Sequence, residues 1–105
     1  MRTAVGNCVW IHYARPRPHW YALDAAAQAE RRGAWQSLAE ASRAKGGACL
    51  GTYHVRGHHD FETVEIWRFP DAEAAFEHWA GLTMAQYGEF NAFSNTIGLA
   101  SEAPP

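Results

Sequence analysis

The sequence lacks the features that announce several large classes of protein. Its two cysteines, Cys8 and Cys49, have no C-x-x-C spacing, so neither a disulfide framework nor a zinc ribbon has anything to build on. No apolar run approaches the roughly 18 residues of a membrane span, and no basic segment followed by a long apolar core opens the sequence. The nine Lys and Arg are scattered along a chain of net charge -2, which leaves no basic stripe to track a phosphate backbone. A glycine-rich phosphate loop and a nucleophile elbow are missing too, and with them any motif for nucleotide-dependent or covalent serine or thiol chemistry. The expectation is a reduced, cytoplasmic protein that engages neither nucleic acid nor membrane.

What is present is a surplus of large rings. Aromatic residues make up 13% of 105 residues, with five Trp, more than a core this small needs, and the excess has to line a cavity or an interface. The length suits one domain over residues 1-105. Its polar tail, residues 101-105, is expected to fray.

Residues 4-14 alternate Val5, Val9, Ile11 and Tyr13 with Cys8 and Trp10, the pattern of a strand covered on both faces. Pro16 and Pro18 then take the chain out of the sheet. Asp24 is placed to cap a long helix that Gly46 and Gly47 stop. Ala48 to Phe69 reads as a hairpin turning at Gly57-His58-His59-Asp60. Asp71 caps a second helix with Phe76, Trp79 and Ala80 on its inner face and His78 on its solvated side. Met84, Tyr87, Phe90 and Phe93, three apart, form a short helical or aromatic-lined piece, and Asn95 to Ala100 makes the last strand. The order is β-α-β-β-α-β, an α+β ferredoxin-like fold with a four-stranded antiparallel sheet. Helices cover one face of such a sheet, and the other, apolar here, needs a partner.

Two stretches, "HWYALDAAAQAERR" and "ETVEIWRFPDAEAAFEHWAGLTMAQYGEF", give the chain its resemblance to the dimeric α+β barrel superfamily. That superfamily includes antibiotic-biosynthesis monooxygenases, muconolactone isomerases, darcynin-like proteins and the haem-binding chlorite dismutase group. The first stretch is similar to the Trp-Tyr-x-Leu and arginine-bearing helix start of the chlorite dismutase group, the second to the strand, break, helix and aromatic tail common to the superfamily. The resemblance implies a homodimeric barrel. Chlorite dismutases carry two ferredoxin-like units per chain where this chain has one, and no proximal haem histidine is matched, so haem remains the alternative to a cofactor-free site.

On the long helix, Asp24, Gln28, Arg31, Trp35, Leu38, Ala39 and Ser42 share one side, polar at its N-terminal end. Arg15, Arg17, His19, Trp20 and Arg31 are expected to surround an entrance for a carboxylate or phenolate, against the plainer reading of a solvated connection. In the hairpin, pairing Arg56 with Phe61 sets His54 opposite Thr63, Thr52 beside Glu65 and Leu50 beside Trp67. His54 near Glu65, with His12 on the first strand, is the candidate base, and Arg31 the group that holds the resulting anion. The competing reading is a structural His-Glu tie between strands. Trp35, Trp67, Phe76, Trp79, Tyr87 and Phe90 are expected to line an apolar pocket. His54, His58 and His59 with Asp60 do not make a metal site, because strand residues four apart lie about 13 Å from each other. The function expected is that of a cofactor-independent oxygenase or isomerase acting on a small, anionic aromatic molecule in secondary metabolism or aromatic degradation. The alternatives are a haem enzyme and a non-catalytic assembly module.

Overall fold

A computed structural model describes residues 8-100, so the expected strand start at residues 4-7 and the tail at 101-105 lie outside the described residues. Strand β1 (Cys8–Pro16) is followed by a single turn of helix, α1 (Pro18–Tyr21), and by α2 (Ala25–Ala44). Then come β2 (Ala48–His54), β3 (Thr63–Phe69), α3 (Ala72–Met84), a second single turn, α4 (Tyr87–Phe90), and β4 (Asn91–Leu99). The four strands form one antiparallel sheet in the order β2-β3-β1-β4. This is the ferredoxin-like order expected from the element sequence.

Local chemistry sets the helix ends. The Asp24 carboxylate accepts from the Ala27 amide and the Asp71 carboxylate from the Ala74 amide, each satisfying one of the orphan donors of a first turn. Helix α2 stops where Gly46 takes φ 102°, a conformation that costs glycine nothing. Pro18 stands at the first helical position of α1, where its missing amide is no loss. β1 runs on to Pro16 before the chain leaves the sheet.

Cys8, Trp10, His12 and Ala14 of β1 point to the helices and are buried, as are Trp67 and Phe69 of β3. Trp10 stands opposite Trp67 and His12 opposite Glu65. The other face carries Val9, Ile11, Tyr13, Tyr53, Val64 and Ile66, none of them fully buried. Tyr53, Val64 and Ile66 therefore lie on the side without helices.

Three local expectations need correction. The hairpin register holds at His54–Thr63 and Thr52–Glu65, but a bulge between Cys49 and Gly51 pairs Cys49, not Leu50, with Trp67. The last strand begins at Asn91, four residues early, because Gln86 at φ 65° breaks the helical run and leaves only one more turn before pairing resumes. Helix α3 is rotated from the expected face: Ala75, His78 and Leu82 are buried and Trp79 packs against the core, while Phe76 is 60% exposed. Small Ala75 and Gly81 let α3 lie close to the sheet and to Leu38 of α2, a gain in contact that outweighs burying one larger ring.

This orientation predicts unequal alanine variants. Phe69→Ala should cost about 3-5 kcal/mol and Phe76→Ala within about 0.5 kcal/mol, read from urea unfolding. Equal losses would place Phe76 in the core.

Candidate functional site

Between α2, α3 and the sheet lies a cavity of about 620 Å³. Its floor is the helix-facing side of the sheet, His12 of β1, Thr52 of β2, and Thr63, Glu65 and Trp67 of β3. Arg32, Trp35, Glu40 and Arg43 of α2 form one wall, His78 and Leu82 of α3 the other, and Tyr87 closes an end. The lining is half polar because β1 and β3 change character along their length: Trp10 and Trp67 at one level give way to His12 and Glu65 at the next.

His12 is 4% exposed and makes two short hydrogen bonds, Nδ1 with Asn95 Oδ1 at 2.6 Å and Nε2 with the Tyr87 hydroxyl at 2.7 Å. An amide oxygen only accepts, so Nδ1 carries the proton and Nε2 accepts from the tyrosine O–H. Burial favours the neutral imidazole and lowers the His12 pKa, although the Asn95 bond works in the other direction. The Tyr87 hydroxyl is pushed well above its ordinary pKa by burial and then by the charge of Glu65. Both groups are neutral near pH 7 and act as a fixed hydrogen-bond chain from β4 through β1 to α4.

Glu65 is the carboxyl on the cavity floor. Burial raises its pKa, against the opposing pull of the Trp67 indole, the Thr52 hydroxyl and the Arg43 charge. Thr52 Oγ1 donates to Glu65 Oε2 at 3.5 Å, a long bond that leaves the carboxylate free to accept others. Arg43 lies over the Trp67 ring at 5.2 Å and Arg32 over Trp20 at 5.0 Å. Their guanidinium groups are thereby tethered along a wall of the cavity.

His78 is the residue that sequence reasoning placed on the wrong side. It is 5% exposed and shares a 2.6 Å hydrogen bond through Nδ1 with Ser42 of α2. Its ring packs against Trp67, Trp10 and Phe69 at centroid distances of 4.7, 5.0 and 5.4 Å. Burial, then the His12 and Arg43 charges, lower its pKa to about 4. The signal that could have found it is the spacing 71, 75, 78, 82, a helical stripe starting at the cap.

The sites expected from the sequence are divided by the fold. Glu65, His12, Trp35, Trp67 and Tyr87 come together in the cavity. His54 lies beyond them, exposed at the end of edge strand β2. Arg31 is half-buried on α2 with its guanidinium 5.7 Å from the Phe90 ring, not on the cavity wall. Gln28 donates to the Trp20 carbonyl at 2.9 Å, and Trp20 is buried against Trp35 and Phe90. Trp79 packs on Phe93 and Trp10 beside the cavity, whereas Phe76 is on the outer surface. Arg15 and Arg17 line a separate hollow of about 520 Å³ with Tyr21 and Ala92, and Arg17 Nε donates to the Gly88 carbonyl. His19 is exposed on the short helix α1. The arginine loop and the His12 cavity are thus two places, not one entrance, because Arg15 follows the β1 alternation onto the face without helices. Among the described residues no three His, Cys, Asp or Glu gather as a metal site, and no helix is long and apolar enough to cross a membrane.

No family model matches the sequence, and no curated protein matches it either. Solved structures do match in fold. A variant of the chlorite dismutase from Candidatus Nitrospira defluvii superposes with a TM-score of 0.75 at 16% identity, over 95% of this chain and 43% of that one. A second variant of that enzyme, in complex with cyanide, gives 0.77 at 12% identity, over 97% and 43%. A candidate chlorite dismutase gives 0.71 at 19% identity, over 94% and 47%. The chain spans less than half the length of these neighbours, and the likeness establishes the ferredoxin-like α+β fold.

An axial haem ligand needs an imidazole nitrogen with open space along its lone pair. His12 has neither nitrogen free. His78 bonds Ser42 through Nδ1 and its ring is held in the core against three aromatic rings. The histidines of this cavity do not fit the role.

The depressed histidines make stability depend on pH. Unfolding frees an imidazole that binds a proton below about pH 6.5, while folded His78 stays neutral down to about 4. Between those values the unfolded chain holds more protons, so stability present above pH 6.5 is lost as pH falls toward 4. Urea midpoints should therefore drop between about pH 7.5 and about pH 5, and drop less in His78→Asn. A wild-type midpoint that is flat across this window would contradict the buried neutral imidazoles.

Proposed function

We propose that this chain is a small-molecule enzyme that moves a proton on a small aromatic or enolic substrate held in the Glu65 cavity, without a cofactor. The observation that supports this most is Glu65 itself. A carboxyl whose pKa is raised by burial, on the floor of a half-polar cavity, is a stronger base near neutral pH than an exposed one. Arg43 and Arg32 on the wall supply positive charge for the anion that proton removal creates.

The reaction class is that expected from the sequence, isomerase or cofactor-independent oxygenase chemistry of aromatic degradation or secondary metabolism, with the base moved from His54 to Glu65. The His12–Tyr87–Asn95 chain holds the floor in one arrangement. A haem enzyme remains the second reading on fold similarity alone, and the histidine geometry weighs against it.

The same proposal takes the open sheet face as a homodimer interface. Its apolar side chains, Ile11, Tyr13, Val64 and Ile66, need covering, and the neighbours in fold are about twice as long as this chain, so a second copy supplies a matching unit. With its cysteines free, the protein suits the reducing cytoplasm.

The test is a turnover screen of phenolic and enolic compounds with wild type, Glu65→Gln and His54→Gln, alongside haemin titration and sedimentation. Glu65→Gln should lose about 10²- to 10⁴-fold in kcat with its fold intact, His54→Gln should keep its rate, haemin should give no stoichiometric Soret band, and the protein should sediment as a dimer. Full activity in Glu65→Gln, or a tight stoichiometric haem complex, would overturn the proposed chemistry, and a monomer would remove the interface.

A further inference from the structure

The α2 wall of the cavity carries charge of both signs in a definite order. Arg32, Gln36, Glu40 and Arg43 line it in turn, at the three- and four-residue spacing that keeps side chains on one side of a helix. A rise of about 1.5 Å per residue sets the Cα atoms of Arg32 and Arg43 about 16 Å apart. The two guanidinium groups therefore stand at different ends of the cavity.

Arg43 lies over Trp67, which is two residues from Glu65 on the same face of β3. Arg32 lies over Trp20, and a series of ring contacts separates Trp20 from Glu65. Trp20 packs on Trp35 at 5.5 Å, Trp35 on Tyr87 at 5.1 Å and Tyr87 on His12 at 5.1 Å, and His12 stands opposite Glu65. In keeping with this, Arg43 is the arginine whose charge acts on the Glu65 carboxyl.

The two ends offer an anion different company. At the Arg43 end, Glu65 on the floor and Glu40 one turn away on α2 line the same cavity, and a further fixed negative charge would be repelled. The residues one turn from Arg32 along α2 are Gln28, Ala29, Trp35 and Gln36, none of them charged. Stacking on an indole also leaves the N–H edge of a guanidinium free for a planar acceptor. Trp20 is buried against Trp35 and Phe90, so the Arg32 fork rests on an immobile base.

We infer that Arg32 binds a carboxylate of the substrate at the end of the cavity remote from Glu65, which makes the substrate a phenolic or enolic acid with its hydroxyl at Glu65. This deepens the proposed function and rests on it. The two wall arginines divide the work: Arg43 serves the anion that proton removal creates, and Arg32 serves one that the substrate already carries. Held this way, the ligand ring lies along Trp35 and Tyr87, and its permanent charge stays away from the Glu65 carboxylate. The separation of the two ends calls for an acid group set off from the ring by a short chain.

The probes are 4-hydroxyphenylpropionate and 4-hydroxyphenylpropionamide, which share the phenol and the chain and differ in the negative charge. Binding is read near neutral pH from the side-chain and indole N–H resonances of the 15N- and 13C-labelled full chain, in wild type and in Arg32→Gln. Arg32 is exposed at the cavity rim, so its replacement leaves the fold in place. Wild type should bind the acid about tenfold more tightly than the amide, and Arg32→Gln should abolish that preference while leaving amide binding unchanged. Equal affinity for the two compounds in wild type, or an equal loss for both in Arg32→Gln, would show that the cavity is a ligand site and that the inference about Arg32 is wrong. If neither compound perturbs the His12 and Tyr87 signals, the proposed function fails together with it.

Discussion

Trp10 and Trp67 face each other across the two central strands, and the rest of the helix-covered layer is arranged around that pair. With Phe69 they make an aromatic floor on which His78 of α3 packs, and which fixes how near α3 can come. Next to the pair, one register step along, His12 and Glu65 replace rings with polar groups. The cavity begins where the floor changes from rings to polar side chains. The strand pairing that builds the core therefore also sets the site, and neither can shift without the other, because a slip of one residue would send His12 and Glu65 to the face without helices.

Burial then turns these side chains into chemistry. The same removal from water that holds His12 and His78 neutral raises the Glu65 carboxyl. With two neutral imidazoles and an unionised Tyr87 beside it, Glu65 is the carboxyl on the floor whose basicity burial raises. The charges of Arg32 and Arg43 stay at the wall, stacked on Trp20 and Trp67, where they attract an anion without filling the space it needs. Fold similarity to chlorite dismutases reaches nearly the whole chain, but here both nitrogens of His12 are bonded, to Asn95 and Tyr87, and His78 is tied to Ser42 through Nδ1. One scaffold serves different chemistries according to which side chains stand on its floor.

Much of this was legible in the sequence because it is local. The alternation in β1, the caps Asp24 and Asp71, the glycine stop of α2 and the hairpin register from Thr63 to Glu65 each rest on residues a few positions apart. What could not be read depends on distant partners. His78 looked solvated because its hydrogen-bond partner, Ser42, is on another helix, and size drew attention to Phe76 over Ala75. The bulge at Leu50 is marked in the sequence by the neighbouring Gly51, a weaker signal than the pairing pattern around it. Arg15 and Arg17 looked like part of one entrance with Arg31, but the pleat sends Arg15 to the opposite face, a consequence that only the continuation of β1 to Pro16 reveals.

The chemistry proposed for this cavity depends most on Glu65 being a base tuned by its surroundings. The direct measurement is the titration of the Glu65 side-chain carboxyl carbon by 13C NMR in the folded wild-type protein. A midpoint clearly above the ordinary glutamate value of about 4.3 is the predicted result. A midpoint at or below it would show a solvated or strongly paired carboxylate, and would contradict the reading of this cavity as an acid-base site.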